Sequence, residues 1–340
     1  MIDLRSDTVT KPTKGMLKAM FEAKIGDDVF GEDPTVIELE EKIADLFNMQ
    51  GALFCPSGTM TNQIAIKCFT QPLDEVILDQ TAHVYRYEGG GIMYNANASV
   101  RLLNGPRGKI TAEMIEPEIN PEGVYYPKSS LVVVENTVNK GGGICYTLEE
   151  LKPIHQLCKE KGLKLHLDGA RIFNALSYTK DKANGYGQYF DGISVCLSKG
   201  LGAPVGSVLL ADHDTINYAR RVRKVMGGGM RQAGFLAAAG IYAIDNHLER
   251  LEEDHHHAKM LEQALLKLNY IETVLPVFTN IVLFKTTGSI KSEELIYKLI
   301  NLGLLCGLMD AQTIRFVTHL DIDKNQILKA IAILESIGKV

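Results

Sequence analysis

The sequence lacks several features that would point directly to a class of protein. Its longest apolar runs, such as Ser207–Ala211 and residues 131–134, are far too short to span a bilayer. Lys and Arg total 36 against 41 Asp and Glu, so the net charge of −5 gives no overall attraction for nucleic acid. The first residues show no basic segment followed by an apolar stretch, which is the pattern of a secretory signal. We therefore expect a cytoplasmic protein that binds neither nucleic acid nor a membrane.

Cysteine pairs of the kind that bind metals are also missing. No two of the six cysteines form a C-x-x-C pair, and several lie in apolar segments. In a long chain that we expect in the cytoplasm, this pattern predicts buried, reduced thiols, and we predict no metal site. The six are Cys55, Cys68, Cys145, Cys158, Cys196 and Cys306.

The common nucleotide-binding motifs are absent as well. There is no P-loop, and residues 200–206 come nearest to the pattern G-x-G-x-x-G. That segment lacks the third glycine at the required position, and Pro204 would break the helix that should follow. No acidic residue lies about 20 positions further on to hold a ribose. The glycine-rich segments therefore do not predict dinucleotide binding.

What the first 245 residues do contain is an alternation of apolar runs with helical patterns. The runs are short and nearly continuous, which is typical of strands covered on both faces in a parallel sheet. They lie at 52–55, 75–78, 99–103, 131–135, 164–167, 192–197 and 207–210. Helical patterns at 35–47 and Leu148–Lys161 separate some of them, and Thr147 with Glu150 forms a capping box before the second. The sequence therefore predicts an α/β large domain with a mostly parallel sheet.

The rest of the chain predicts a second, smaller domain, because 340 residues exceed what one core usually supports. A long helical region at 230–268 is followed by strands at 281–284 and 313–316 and helices at 292–302 and 323–337. We predict a large domain over 1–245, with an N-terminal segment that contributes to the site, and a small α+β domain over 246–340. The three histidines 255–257 point to different faces of a helix, so we interpret them as a solvated surface rather than a metal site.

Residues 55–62 are the best candidate for a phosphate site. They follow a predicted strand and open an apolar helix at 61–69. Backbone N–H groups at a helix N-terminus, together with the hydroxyls of Ser57 and Thr59 and the bare backbone of Gly58, would form a cup for an anion. Ser-Gly-Thr is equally an ordinary sequence for beginning a helix.

Two charged residues end predicted strands further along the chain. Asp168 precedes Gly169 and Ala170, and Lys199 precedes Gly200. Parallel sheets bind ligands at the carboxyl ends of their strands, so both side chains should lie at one edge. Burial favours the uncharged amine of a lysine, the form that attacks carbonyl groups. The alternatives are an aspartate that only caps a helix and a lysine whose amine reaches the surface.

A phosphate cup, an aspartate and a lysine in this order are what pyridoxal 5′-phosphate requires. The lysine would form a Schiff base with the aldehyde, the aspartate would keep the ring nitrogen protonated, and the cup would hold the phosphate. Agreement in order, spacing and chemistry is stronger evidence than any one of the three signals.

With these motifs in place, the sequence resembles the low-specificity threonine aldolases, a family of pyridoxal-phosphate enzymes with the fold type I, aminotransferase-like architecture. The resemblance covers nearly the whole chain. Its landmarks are residues 3–10, 31–35, 56–63, 83, 135–137, 168–171, 198–201, 227–232, 315 and 317–319.

The resemblance implies a cofactor site formed by Ser57, Gly58, Thr59, His83, Asp168, Arg171, Lys199, Lys224 and Arg231. It implies that Lys199 carries the cofactor, Asp168 pairs with the ring nitrogen and His83 stacks on the ring. Lys224 and Arg231 would come from the neighbouring subunit of a homotetramer built from dimers with shared active sites.

The resemblance also implies how an amino-acid substrate is held. Ser6, Arg171 and Arg315 would bind its carboxylate, since a guanidinium matches a carboxylate with two parallel hydrogen bonds. His83 would face the substrate hydroxyl and act as the base, directly or through a water. The chain departs from the family at Val138, where a histidine is usual, and at Phe30, where a tyrosine is usual. We expect the first change to bias the preference between the threo and erythro substrates.

The activity that this resemblance implies is reversible cleavage of L-threonine or L-allo-threonine to glycine and acetaldehyde. Asp168, His83 and Lys199 would be the catalytic residues. One alternative is another lyase or an aminotransferase on the same scaffold, because a fold does not determine a reaction. A second alternative, a binding protein that has lost the chemistry, is disfavoured by the intact Lys199.

Overall fold

The computed structural model describes residues 1–288 and 290–337. The strands are β1 (Ile2–Asp3), β2 (Gly51–Cys55), β3 (Asp74–Asp79), β4 (Ser99–Leu103), β5 (Lys128–Glu135), β6 (Lys164–Gly169), β7 (Gly192–Cys196), β8 (Ser207–Ala211), β9 (Ile271–Val274), β10 (Ile281–Thr286), β11 (Leu304–Leu305), β12 (Gly307–Leu308) and β13 (Thr313–Val317). The α-helices are α1 (Lys14–Phe21), α2 (Pro34–Phe47), α3 (Gly58–Phe69), α4 (His83–Arg86), α5 (Ala112–Ile115), α6 (Leu148–Lys161), α7 (Ile172–Thr179), α8 (Ala183–Gly187), α9 (His213–Val225), α10 (Gly234–His247), α11 (Leu251–Leu265), α12 (Ser292–Asn301) and α13 (Lys324–Ile337).

A seven-stranded sheet forms the centre of the part of the chain that the structure describes, in the order β2-β8-β7-β6-β5-β3-β4. Neighbouring strands from β7 to β4 are parallel, whereas β8 is antiparallel to both β7 and β2. The predicted α/β class with a mostly parallel sheet is confirmed, and each of the seven predicted strands is present. Because β8 alone is reversed in this sheet, the carboxyl ends of β2, β3, β5, β6 and β7 lie at one edge.

Both faces of this sheet are covered, which explains the continuous apolar runs. Val132 and Val134 of β5 pack in one core cluster, and the intervening Leu131 and Val133 pack in another on the opposite face. Helix α3 covers the second face with buried residues such as Ile64. The sheet edge that carries the predicted site is therefore held rigidly from both sides.

The C-terminal part forms a separate, antiparallel sheet in the order β12-β13-β10-β9, packed against α11, α12 and α13. The short strand β1 pairs in parallel with β11, and Leu4 packs in the same core cluster. The N-terminal segment thus begins beside the second core and runs to the edge of the main sheet. The boundary between 1–245 and 246–340 stays a prediction, and residues 289 and 338–340 of the second range lie outside the described residues.

Two expectations were wrong in detail. The predicted helical region at 230–268 is two helices, α10 and α11, which are separated at residues 248–250. The predicted solvated surface at 255–257 holds for His256, but His257 is buried and the Nε2 atom of His255 lies 3.0 Å from Asn174 Oδ1. Helix α11 packs against α7 and the second core, so this face is not free.

The cysteines match the expectation of reduced thiols. All six are free, and all but the half-buried Cys68 are buried. Among the helices in the described ranges, none is long and apolar enough to cross a membrane.

Candidate active site

Two adjoining cavities open at the carboxyl edge of the main sheet. The inner cavity, about 170 Å³, is lined by Thr8, Ser57, Gly58, Thr59, Asn62, His83, Glu88, Asp168, Ala170, Ser194, Cys196, Ser198 and Lys199. The outer cavity, about 390 Å³, is lined by Ser6, Thr8, His83, Tyr87, Asn139, Arg171, Lys199, Leu308, Met309 and Arg315. Thr8, His83 and Lys199 line both, so a ligand in the inner cavity and one in the outer cavity would meet at these three residues.

Asp168 lies in β6, in register with Glu135 of β5 and Ser194 of β7. Its Oδ1 atom accepts a hydrogen bond from the backbone N–H of Ala170 at 3.1 Å, but its Oδ2 atom is buried and has no hydrogen-bond partner in the described structure. A buried carboxylate oxygen without a partner costs free energy. A protonated ring nitrogen in the inner cavity would supply the missing donor, so this residue fits the cofactor implied by the sequence.

The predicted phosphate cup is the first turn of α3. The Ser57 hydroxyl caps this helix by accepting the backbone N–H of Met60 at 3.2 Å, and the helix begins at Gly58, three residues earlier than predicted. Ser57, Gly58 and Thr59 all line the inner cavity. The two interpretations of the motif are therefore compatible: the residues begin a helix, and the N-terminus of that helix points its partial positive charge into the cavity.

Lys199 follows β7 in the loop before β8 and is half-buried. Its backbone oxygen accepts a hydrogen bond from the Thr10 hydroxyl at 2.9 Å, which ties the N-terminal segment to this loop. Because the side chain lines both cavities, its amine can serve a ligand in either one.

His83 begins α4, just after β3, and is held at two points. Its backbone N–H donates to Glu135 Oε2 at 2.9 Å, and its Nδ1 atom lies 3.0 Å from Glu88 Oε1. Glu88 is buried and also accepts hydrogen bonds from Asn62 and Gln63. Its acceptor role assigns the Nδ1 proton to His83 and leaves Nε2 free to accept a proton.

Burial alone lowers the pKa of His83, but the hydrogen bond to Glu88 and the negative charges of Asp168 and Glu135 raise that pKa overall. One ligand atom from each of His83, Glu88 and Asp168 lies within 4.8 Å of the other two, so these residues could also hold a cation. The unpartnered Asp168 Oδ2 and the adjoining cup match an organic phosphate with a ring nitrogen better.

The outer cavity holds two guanidinium groups. Arg315 of β13 donates from Nη1 to Asn139 Oδ1 at 2.9 Å and from Nη2 to the Arg5 carbonyl at 3.0 Å, while its buried Nε has no partner among the described residues. Burial, with the nearby positive charge of Arg171, lowers the pKa of Arg315. An anion in this cavity would therefore be favourable.

Arg171 lines the outer cavity too, but much of its hydrogen-bonding capacity is already used. Its Nε and Nη2 atoms donate to the two carboxylate oxygens of Asp7, each at 2.7 Å, and both side chains are buried. Burial raises the pKa of Asp7, but Arg171 outweighs that effect and lowers the pKa to about 2. Arg171 is thus already paired with a carboxylate, whereas the oxygens that Arg315 contacts, those of Asn139 and the Arg5 carbonyl, are neutral. A direct role for Arg171 at the substrate stays a prediction.

Lys224 and Arg231 do not lie in either cavity. Lys224 lines a third and larger cavity of about 590 Å³ together with Phe30 and Gly229, and Arg231 pairs with Asp27 at 2.8 Å. The structure therefore does not bring these two residues to the phosphate cup of their own chain. Their predicted place at a neighbouring subunit's cup is untested.

Val138 is buried in the main core and lines neither cavity. A Cβ atom placed on Gly108 would lie only 2.7 Å from its Cγ1 atom, so the side chain packs closely under the loop. This placement gives no support to the expectation that Val138 meets the substrate. Its neighbour Asn139 reaches the outer cavity instead.

Several lining residues had not been predicted. Thr8 and Asn62 stood within sequence landmarks without an assigned role, and Glu88, Tyr87, Asn139, Leu308 and Met309 had not been identified. Glu88 follows His83 by five residues, and a carboxylate so near a candidate base is a signal that could have been used. No pattern in the surrounding sequence indicates that Leu308 and Met309 belong to the site, because they come from the part of the chain that forms the second sheet.

Known proteins resemble this chain over nearly its whole length. Residues 3–288 match the family model for beta-eliminating lyases. The low specificity L-threonine aldolase of Escherichia coli strain K12 is 38% identical over 333 residues, which cover 98% of each chain. Low-specificity L-threonine aldolase 1 of Arabidopsis thaliana is 39% identical over 325 residues, covering 94% of this chain and 91% of that protein. A solved structure of a Leishmania major threonine aldolase superposes with a TM-score of 0.86 at 22% identity over 99% of both chains, so the fold is the same.

Proposed function

This chain belongs to the beta-eliminating lyase family, and we propose that it cleaves L-threonine and L-allo-threonine reversibly to glycine and acetaldehyde, with pyridoxal 5′-phosphate as cofactor. The observation that carries the proposal is the junction of the two cavities. Lys199 and His83 line both of them, while Asp168, whose Oδ2 atom has no partner in the described structure, lines the inner one and Arg315 lines the outer one.

The inner cavity offers the donor set that the cofactor needs. Ser57, Gly58 and Thr59 would hold its phosphate at the N-terminus of α3, Asp168 would accept the ring N–H, and Lys199 would bind its aldehyde carbon. When bound, the cofactor supplies a sink for the electrons of the Cα–Cβ bond that breaks.

The outer cavity would bind and orient the amino acid. Asn139 and the Arg5 carbonyl each engage one N–H of Arg315, on Nη1 and on Nη2, so one N–H on each of these terminal nitrogens remains for the substrate carboxylate. Ser6 lies beside it, and Arg171, held by Asp7, adds positive charge. Fixing the carboxylate restricts rotation of the amino acid about its Cα–N bond. This orients the Cα–Cβ bond, which is to be broken, against the cofactor.

His83 would accept the proton of the β-hydroxyl at its Nε2 atom. Glu88 holds the Nδ1 proton and stabilises the positive charge that develops on the ring. The raised pKa of His83 favours this role, since a general base works best with a pKa near the operating pH.

We further propose a cytoplasmic homotetramer of dimers with shared sites. Lys224 and Arg231 lie away from their own cup, and a large cavity beside them carries Phe30, which is 72% exposed. A second copy would cover such apolar side chains and bring the two cations to a phosphate. The free thiols fit a reducing compartment.

Product analysis tests the proposed activity. The protein loaded with pyridoxal 5′-phosphate should convert each epimer to equal amounts of glycine and acetaldehyde, and the Lys199→Ala variant should lose this activity while keeping its far-UV circular dichroism. A 2-oxo acid as the main product would instead identify an aminotransferase. Absence of any product from either epimer would contradict the proposal.

A further inference from the structure

Glu135 is a buried carboxylate that lines neither cavity, yet it bonds two segments whose side chains line the outer cavity. It ends β5, beside Asp168 of β6. Its Oε2 atom accepts the backbone N–H of His83 at 2.9 Å, and its Oε1 atom accepts the backbone N–H of Asn139 at 2.8 Å. One carboxylate thus anchors two segments that are 56 residues apart in sequence.

Each anchored segment presents one group to the substrate. His83 supplies the ring that would take the hydroxyl proton. Asn139 supplies the side-chain oxygen that accepts the Arg315 Nη1–H at 2.9 Å, and Arg315 would bind the carboxylate. The hydroxyl and the carboxylate of the substrate are therefore approached by groups that share a single anchor.

We propose that Glu135 is a positioning residue that fixes the separation between the proton acceptor His83 and, through Asn139, the carboxylate-binding Arg315. The role rests on the proposed function, since it concerns a substrate with both a carboxylate and a β-hydroxyl. A difference in that separation would misplace one end of the substrate whenever the other end is bound correctly, and small misplacements have large effects on rate.

The chemistry of the anchor explains why a glutamate stands here. Two N–H groups need two acceptors, and a carboxylate provides both, whereas a glutamine would turn its NH₂ group toward one of the N–H donors. Burial, together with the negative charge of Asp168, raises the pKa of Glu135 to about 7. The ionised form is thus unfavourable at this place, and its two N–H bonds are the contacts that offset the cost.

Glycine separates the two links experimentally, the one from Glu135 to His83 and the one from Glu135 through Asn139 to Arg315. It has the carboxylate of the substrate but no β-hydroxyl, so its dissociation constant, measured calorimetrically on the loaded enzyme, reports on carboxylate binding through Arg315 and not on the proton transfer to His83. The kcat for threonine reports on both. Three variants complete the design: Glu135→Gln, Asn139→Ala and Glu88→Gln. Glu88 bonds the ring of His83, Asn62 and Gln63, but neither Asn139 nor Arg315.

We expect Glu135→Gln to weaken glycine binding and to lower kcat, each by about tenfold, the effect of losing one good hydrogen bond near a charged group. Asn139→Ala should weaken glycine binding by a similar factor with a smaller change in kcat. Glu88→Gln should lower kcat and leave glycine binding unchanged. In the double variant of Glu135 and Asn139, glycine binding should be no weaker than in the more affected single variant, because both changes act on Arg315 through one contact.

The outcomes distinguish this inference from the proposed function. Wild-type protein that neither binds glycine nor cleaves threonine would overturn the function itself. An active wild type with a folded Glu135→Gln variant of unchanged glycine affinity, or with fully multiplicative effects in the double variant, would overturn the positioning role. If Glu135→Gln does not fold, the Asn139→Ala variant tests the proposal. Unchanged glycine affinity in that variant would show that Asn139 does not position Arg315, and the positioning role would be overturned.

Discussion

His166, in β6 beside the inner cavity, shows how one buried side chain ties stability to pH. Its Nδ1 atom lies 3.0 Å from the Gly192 carbonyl and its Nε2 atom 3.0 Å from Asn62 Oδ1. Burial lowers its pKa to about 4, although Asp168 and the carbonyl act in the opposite direction. At pH values below the ordinary histidine pKa of about 6.5, the unfolded chain would carry a positive charge at this residue, whereas the folded protein keeps the imidazole neutral.

This difference predicts a loss of stability on acidification. Between about pH 6.5 and pH 4 the unfolded state binds a proton at His166 that the folded state does not, so the unfolding free energy should fall by about 3 kcal/mol from this group. The His166→Gln variant should be less stable at pH 7 but should lose less on acidification. Chemical denaturation at a series of pH values measures the unfolding free energy of the wild type and of the variant. The other titrating groups are the same in both proteins, so the difference between the two curves reports on His166. Parallel curves would contradict the assignment.

Arg315 carries the second prediction at this scale. Arg315→Lys keeps the charge but loses the planar fork that matches a carboxylate with two parallel hydrogen bonds, so the affinity for threonine and glycine should fall by about 1–3 kcal/mol. Calorimetric titration with glycine measures the loss. Arg101→Lys, at an ion pair with Glu75 on the far edge of the sheet, is the matched control. Equal affinities in wild type and Arg315→Lys would exclude the role.

Which site residues the sequence can predict depends on where their partners lie. Asp168, Lys199 and Ser57 were identified because each follows a strand pattern, and parallel strands bring such ends together. Asn139 could not be assigned, because its meaning depends on Arg315, 176 residues away in another sheet. The pairing of Arg171 with Asp7 was missed for the same reason, although both residues lie within landmarks of the sequence.

At the scale of elements, the first turn of α3 combines a structural and a binding task that mutations can separate. A Cβ atom on Gly58 would lie 3.4 Å from Ser207 Oγ, an ordinary contact, so Gly58→Ala should leave the stability of the cofactor-free protein nearly unchanged. The added methyl would, however, crowd a phosphate at the cup and weaken cofactor binding. Ser57→Ala removes the helix cap and should cost about 1 kcal/mol of stability in the same protein.

Two measurements check this contrast. Denaturation of the cofactor-free variants should rank Ser57→Ala as the less stable, and titration with pyridoxal 5′-phosphate should show weakened binding by Gly58→Ala. Full cofactor affinity in a folded Gly58→Ala variant would mean that the phosphate lies elsewhere.

The elements themselves were predictable where one local signal dominated. Most strands of the main sheet were found because burial on both faces leaves unbroken apolar runs, although only Leu103 is buried in the edge strand β4. The separation of α10 from α11 was not found, since residues 248–250 contain neither glycine nor proline. The buried His257 was misjudged because a charged sequence around it suggested solvent, whereas the helix packs against the second core.

At the scale of the whole molecule, apolar side chains are exposed at the cavity of about 590 Å³ and beside it in sequence. Phe30 lines this cavity and is 72% exposed, and Val225, which follows the lining residue Lys224, is 88% exposed. If a second copy covers this region and completes the site, subunits with different defects should rescue each other. Coexpressed Lys199→Ala and Lys224→Ala chains should form hybrid oligomers in which one site has both lysines intact. Threonine cleavage by the purified hybrids should exceed that of either variant alone. Activity no higher than the better single variant would indicate that each site is built from one chain.

We propose that Lys199 holds pyridoxal 5′-phosphate at the carboxyl ends of the strands in the main sheet. Borohydride reduction of the loaded protein, followed by peptide mass spectrometry, tests it most directly, because reduction makes an imine bond permanent. The peptide that contains Lys199 should carry the mass of the reduced cofactor, and Lys199→Ala should lose that mass with the fold intact. Cofactor fixed to any other lysine, or still fixed to the Lys199→Ala variant, would contradict it.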